Sequence, residues 1–306
     1  MLPVILVVTM MIIIKNINHK ELTRNPLQKL TGEMEHPLLI TEEFKNKIFS
    51  KSITIKDISN NIPAQWSTAW KGGTRGTKKL LSELYADGEW QGHRCFLIGN
   101  GPSVRLYKPK VLNNFLSGEK SIGINRAYEL LPDVTISLAS DAHYYNNLSN
   151  PKNKNWPEYK KYHAYQGVKC WVDSANRHMD DCYYVKNIGR AGISASLKDG
   201  IYCHSNTGYS AIQLAIVLKA NPIYLIGFDL CQDQQGHTHF HDYPTNGNYL
   251  NNWRVFSSGL VELYSLIKKY RPALQIINLS PISRVQFWKK MNLDEVAGMK
   301  ITREVA

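Results

Sequence analysis

From about residue 95 the chain alternates short apolar runs with polar loops. The runs lie at 95–98, 121–124, 134–139, 168–172, 223–226 and 274–278. They are four to six residues long, rich in β-branched residues and without strict alternation, which is the pattern of strands covered on both faces. Two helical patterns fall between the later runs. Residues 209–219 are apolar on most sides, and residues 252–270 carry Leu260, Leu263, Leu266 and Ile267 at helical spacing. Strand and helix in alternation predict right-handed βαβ units and a mainly parallel, Rossmann-like α/β sheet flanked by helices. The ligands of such sheets lie beyond the carboxyl ends of the strands.

Residues 15 to about 90 are polar and weakly periodic, with helices expected at 41–49 and 78–85 and turns at Asn60-Asn61-Ile62-Pro63 and Gly72-Gly73. The expected organisation is an N-terminal extension or cap over 1–90 and a nucleotide-binding transferase domain over 91–306, with a lid-like late loop. The first fourteen residues are apolar but lack a positive n-region and a small-residue cleavage site. A membrane span needs about 20 apolar residues, so this run is expected to be an edge strand or a start upstream of Met10 or Met11, not an anchor.

The chain of 306 residues is 43% hydrophobic and 20% charged, a composition that excludes disordered, fibrous and multi-span membrane classes. Its 37 basic and 25 acidic residues leave a formal charge of +12, which favours an anionic partner: a phosphorylated donor, an anionic glycan or, less favoured, nucleic acid. The densest basic stretch is Lys71-Gly-Gly-Thr-Arg75-Gly-Thr-Lys78-Lys79. Five scattered cysteines without a C-x-x-C pair argue against a disulfide scaffold or a zinc ribbon and fit a cytoplasmic setting.

The loops after the expected strands carry the candidate chemistry. Gly99, Asn100, Gly101, Pro102 and Ser103 form either a phosphate-binding loop, with exposed N–H groups and Ser103 capping a following helix, or a plain strand-to-helix turn. Neither a Walker motif nor a complete G-x-G-x-x-G is present. Asn125-Arg126 and Asp141 stand at the ends of the next two strands, where each is a ligand-reading group or a turn residue. Asn206, Thr207 and Gly208 open the apolar helix, as caps or as a phosphate site; a glycine inside a first turn costs about 1 kcal/mol unless something approaches closely.

Beyond Gly227-Phe228-Asp229 lies the densest polar cluster, His237-Thr238-His239-Phe240-His241-Asp242. It can be read as a solvated loop, as a metal site with Asp229 or Asp242, or as the source of a general base near neutral pH. The last loop, Asn278-Leu-Ser-Pro-Ile-Ser283-Arg284, is compatible with closing the same cleft.

Taken in order, Gly99-Asn-Gly-Pro-Ser103, Gly123-Ile-Asn125-Arg, Asn206-Thr-Gly208, Gly227-Phe-Asp229, the His237–His241 loop and Asn278-Leu-Ser-Pro resemble a superfamily with three branches. These are the bacterial α-2,3-sialyltransferases, the motility accessory factors linked to flagellin glycosylation, and the 6-hydroxymethylpterin diphosphokinase-like proteins, whose phage-borne members this chain resembles most. The resemblance spans about Cys95 to Trp288. It implies a Rossmann-like fold, a nucleotide-sugar donor linked to CMP or UDP, a hydroxyl-bearing acceptor, no required metal, and inversion at the anomeric carbon. It further implies that Gly99–Ser103 and Asn125 line the nucleotide, that Asn206–Gly208 lies near the donor phosphate, and that His239, or second His241, deprotonates the acceptor, with Asp229 in the catalytic set. The tyrosine pair of the sialyltransferases has only Tyr243 and Tyr249 as counterparts. The diphosphokinase-like branch implies an alternative, ATP-dependent diphosphoryl transfer with Mg²⁺ on Asp141 and Asp229. A third reading is a non-catalytic nucleotide or nucleic-acid binding module.

Overall fold

A computed structural model of the chain describes residues 78–173, 179–241 and 249–302, without the side chains of 249–251. The described residues belong to one compact unit, Thr77–Ala306. The N-terminal apolar run, the helix expected at 41–49, most of the basic stretch, Asp242, Tyr243 and the side chain of Tyr249 lie outside them.

Among the described residues ten strands form a single sheet: β1 (Lys79–Leu80), β2 (Cys95–Ile98), β3 (Lys120–Ile124), β4 (Ile136–Ala139), β5 (Val168–Asp173), β6 (Tyr183–Gly189), β7 (Ile201–Tyr202), β8 (Ile223–Ile226), β9 (Ile276–Asn278) and β10 (Lys289–Lys290). The order is β1-β6-β5-β4-β3-β2-β8-β9-β10, with β7 beside β6. Each of these strand pairings is parallel. The helices are α1 (Pro109–Leu116), α2 (Ala142–Ser149), α3 (Pro157–Ala164), α4 (Thr207–Val217), α5 (Tyr249–Tyr270) and α6 (Leu293–Ala297). This is the expected α/β Rossmann-like architecture, and no helix among the described residues is long and apolar enough to cross a membrane.

The strand sequences follow from burial on both faces. Residues of β2 alternate between two cores: Cys95 and Leu97 join the cluster that includes α4 and Leu260 and Leu263 of α5, while Phe96 and Ile98 join the cluster with Leu112 and Leu116 of α1. A strand sandwiched in this way needs apolar residues at successive positions. Phe96 stacks on Tyr224 of β8 with ring centroids 4.9 Å apart, directly across the β2–β8 pairing. Helix α4 is apolar all round because it lies between β2, β3 and β4 on one side and α5 on the other. All five cysteines are buried and unpaired, and burial pushes their thiols above the ordinary range, which makes them inert packing groups.

Part of the sheet departs from the expected pattern. Residues 78–85, expected to be helical, instead form β1, paired with β6, and a 3-10 turn at Leu81–Glu83. Leu81 and Trp90 are fully buried, and the backbone N–H of Trp90 donates to the Leu218 carbonyl at 2.8 Å, so residues 78–90 pack with the sheet. Strands β2 to β6 run outward in order from the middle of the sheet. The chain then crosses back through α4 to place β8 on the other side of β2. The connections from β2 and β8 therefore lead on to opposite halves of the sheet, to β3 and to β9, which makes the carboxyl ends of this strand pair a topological switch point.

Candidate functional site

The loops after β2 and β8 meet backbone to backbone. A Cβ on Gly99 would run into the Gly227 carbonyl, and one on Gly227, which has φ +72°, would meet Val104 and Gly99. Glycine is required at both positions by this approach. The Gly99 N–H donates to the Ile226 carbonyl at 2.7 Å, the Gly101 N–H to the Gly227 carbonyl at 3.0 Å, and the Ser103 N–H to Asp229 Oδ2 at 2.7 Å. The N–H groups of Gly99, Gly101 and Ser103 are thus taken up in joining the two loops. Ser103 is no helix cap. It is fully buried inside the 3-10 turn Pro102–Leu106, whose cap is Gly101.

Asp229 is 1% exposed, and burial raises its carboxyl from 3.8 to about 6, against the Ser103 N–H and the Ser103 and Ser280 hydroxyls, which favour the charged form. Asn278, Ser280 and Ser283 do not line the cleft. They are buried and brace the β8 loop from behind, with the Ser280 hydroxyl accepting the Phe228 N–H at 3.0 Å and the Ser283 hydroxyl donating to the Phe228 carbonyl at 2.6 Å.

Asn206 caps α4, its Oδ1 accepting the N–H groups of Gly208 at 2.7 Å and Tyr209 at 3.4 Å. Gly208 is needed for close approach, since a Cβ there would lie 2.8 Å from the Phe228 ring. Asn125, at the end of β3, adopts φ +50°, a left-handed conformation that asparagine tolerates better than most residues.

The three histidines do not act as one row. His237 closes a turn on Asp233, with Nδ1 2.8 Å from Asp233 Oδ2. His239 and His241 stack with centroids 5.1 Å apart and planes at 28°. His239 Nδ1 lies 2.9 Å from the Thr238 hydroxyl. Burial first, and the Arg126 charge second, lower the His239 pKa below 6.5, so that the ring is neutral at physiological pH. Among the described residues no three His, Cys, Asp or Glu side chains are grouped to hold a metal ion.

These parts enclose a cleft of about 160 Å³ at the switch point. Gly99, Asn100, Gly101, Asn125, Asn206, Thr207, Gly208, Asp229 and His239 all line it. Of the candidate residues, Pro102 and Ser103 lie buried behind the wall, and neither His241 nor Asp141 is on it. Asp141 caps α2 by accepting the Tyr144 N–H at 2.7 Å and lines a second cleft of about 420 Å³ with Arg190, His204 and Ser205. Asn206 borders both clefts. The side-chain oxygens of Asn100 and Asn125 are buried and have no hydrogen-bond partner among the described residues. Asp229 Oδ1, on the same cleft, likewise has none among the described residues, and buried polar atoms of this kind take their partners from water, an ion or a bound molecule.

Sequence reasoning did not single out Trp253 and Phe256 of α5, which with Leu260 of the helical stripe form an apolar wall of the first cleft. Their spacing of three and four was visible as an extension of the stripe ending at Ile267.

No protein-family model matches the chain, and no curated protein matches it. Among solved structures it is similar to the MAf glycosyltransferase from Magnetospirillum magneticum AMB-1, at 14% identity and TM-score 0.49, over 74% of this chain and 37% of that one. It is similar to the sialyltransferase CstII from Campylobacter jejuni in complex with the substrate analogue CMP, at 12% identity and TM-score 0.41, over 70% of this chain and 91% of that one. A variant of sialyltransferase CST-II in complex with CMP matches at 12% identity and TM-score 0.40, over 69% and 91%. The chain thus spans 37% of the length of the Magnetospirillum enzyme. Each likeness is one of fold.

Proposed function

We propose that this chain is a sialyltransferase-like glycosyltransferase that binds a CMP- or UDP-linked sugar in the switch-point cleft and transfers the sugar to an acceptor hydroxyl. The observation that carries the reading is the pair of partnerless, buried oxygens of Asn100 and Asn125 on the same cleft as His239. Base amino groups and ribose hydroxyls are the donors that a nucleotide supplies to such oxygens. The positive end of the α4 dipole, at Asn206–Gly208, favours the donor phosphate. Trp253 and Phe256 offer a flat apolar wall to a base or sugar face.

In this reading the second cleft, beyond Asn206, receives the acceptor, with Asp141, Arg190 and His204 as its polar groups. His239 takes the proton of the acceptor hydroxyl. The oxygen forms a bond to the anomeric carbon, and the bond from that carbon to the phosphate oxygen breaks, the electron pair leaving with the nucleotide. A histidine that is neutral at physiological pH is ready to accept that proton. Asp229 acts by holding the β2 and β8 loops together. Diphosphoryl transfer with Mg²⁺ on Asp141 and Asp229 would require both carboxylates at one ion, whereas they line separate clefts.

A thermal-shift panel of CMP, UDP, GDP, ADP and ATP, each with EDTA and with Mg²⁺, tests the reading. Stabilisation by CMP or UDP in EDTA is expected, reaching about 2.7 kcal/mol at 100 times the dissociation constant. Stabilisation by ATP with Mg²⁺ alone, or by no nucleotide, refutes it.

A further inference from the structure

His239 sits in a stretch without regular structure between β8 and α5, yet its neighbours are tied firmly to the other side of the cleft. Phe240 is held through both of its backbone polar groups. Its N–H donates to the Asn100 carbonyl at 2.9 Å, and its carbonyl accepts from Arg105 Nε at 3.0 Å. Arg105 extends a second arm, Nη1, to His237 Nε2 at 3.3 Å. For that nitrogen to accept, the His237 proton must sit on Nδ1, where it donates to Asp233 Oδ2 at 2.8 Å. Asp233 is itself fixed, its Oδ1 accepting the N–H groups of His237 at 2.8 Å and Gln235 at 3.0 Å.

Arg105 and Asn100 both belong to the segment that leaves β2, in or just before the 3-10 turn Pro102–Leu106. The late loop is therefore registered against the same backbone that lines the cleft. Two bonds from one planar guanidinium fix a direction as well as a distance, which a lysine ammonium cannot do. Both bonds fall on the residues that flank His239 at 237 and 240.

We propose that Arg105 is a positioning residue that locks the late loop to the β2 loop through the Phe240 carbonyl and the Asp233-held ring of His237, and thereby sets where His239 stands over the donor cleft. The inference rests on the reading of His239 as the base. Arg105 touches neither donor nor acceptor in this scheme and acts through the loop alone.

The test uses the full chain and reads two quantities. The first is hydrogen exchange at the Phe240 amide. The second is turnover of a CMP- or UDP-linked sugar, with kcat and KM resolved. In Arg105→Ala the Phe240 amide should exchange at least tenfold faster, and kcat should fall at least tenfold with donor KM within threefold of the parent. Millimolar guanidinium should restore part of kcat. Arg105→Lys, which keeps the charge and stem without the fork, should shift both quantities in the same direction by less, and it serves alone if the alanine variant does not fold. Unchanged Phe240 exchange overturns the proposal. So does a fall in kcat matched by an equal rise in KM, which would make Arg105 a general support of the cleft. His239→Asn is run in parallel: if it keeps full turnover, the base reading fails, while the exchange result still decides whether Arg105 holds the loop.

Discussion

Asp229 reaches from the loop after β8 to the backbone of Ser103 in the loop after β2, its Oδ2 2.7 Å from the Ser103 nitrogen. This contact bridges the two walls of the switch point. It also places a carboxylate where water scarcely reaches, so the clasp carries a charge that the fold would hold more easily if neutral.

Stability should therefore depend on pH in a defined direction. The Asp229 carboxyl is raised from 3.8 to about 6 in the folded chain, so between those values the native state binds more protons than the unfolded one. Its stability falls as pH rises from about 4 through about 6 and is level above. Asp229→Asn keeps an acceptor oxygen for the Ser103 N–H without the charge. Thermal melts should show the variant gaining on the parent at pH 7.5 and losing that gain at pH 4. An equal gap at both pH values would count against the buried charge as the cause.

The pH dependence of transfer should reflect His239. Burial and then the Arg126 charge lower its pKa from 6.5, so the acid limb of the rate profile should lie below pH 6.5. Arg126 is paired with Glu129 and Glu158. Arg126→Gln removes a positive charge and leaves those carboxylates less compensated, and both changes favour the protonated ring. The acid limb should move upward in a pH–rate series. A limb that stays in place would detach Arg126 from the base.

Asn206 has a capping role and a cleft-facing role that substitution can separate. Asn206→Ala removes the cap from α4 and should cost about 1 kcal/mol in a denaturant melt. Asn206→Asp keeps the cap but sets a negative charge beside the donor phosphate. Its stability should match the parent while CMP or UDP affinity falls at least tenfold by titration calorimetry. Full affinity in the aspartate variant would place the phosphate elsewhere.

The meeting of the two loops should be intolerant of a single methyl group. Gly99→Ala would drive a Cβ into the Gly227 carbonyl, and Gly101→Ala into Asp229 and that same carbonyl. Each should destabilise by about 1–3 kcal/mol, the usual cost of overpacking a site with no room to give. Gly118, where an added methyl group would meet nothing within 4 Å, is the control, and Gly118→Ala should be neutral or slightly stabilising. Denaturant midpoints of the three variants check the contrast.

The legible parts of this protein are those where one physical constraint acts alone. Strands β2 and β8 read clearly because both faces are buried and nothing polar interrupts them. Strand β6 does not, because Lys186 is exposed and Asn187 and Ile188 are only half-buried in its second half, which erases the apolar run. In the site, glycines and asparagines at strand ends were readable from the parallel-sheet rule. That rule does not distinguish a polar residue facing a ligand from one bracing a neighbouring loop, so Ser103 and Ser283 looked like cleft groups and are supports. Trp253 and Phe256 were hidden for the opposite reason, since apolar residues on a helix look like core whether they face the sheet or a cleft.

The position of β8 beside β2 also bears on how the chain is made. Cys95 pairs in register with Ile223, so the central strand waits for a neighbour synthesised long after it. Until then β2 is an open edge, its Phe96 and Leu97 awaiting partners on that side, and open apolar edges are where chains associate wrongly. Closing so long a loop adds little entropy cost for its length but delays folding. A ribosome paused or a chain cut before residue 223 would yield seven of the ten described strands with β2 as an open edge, and a product with a tendency to aggregate.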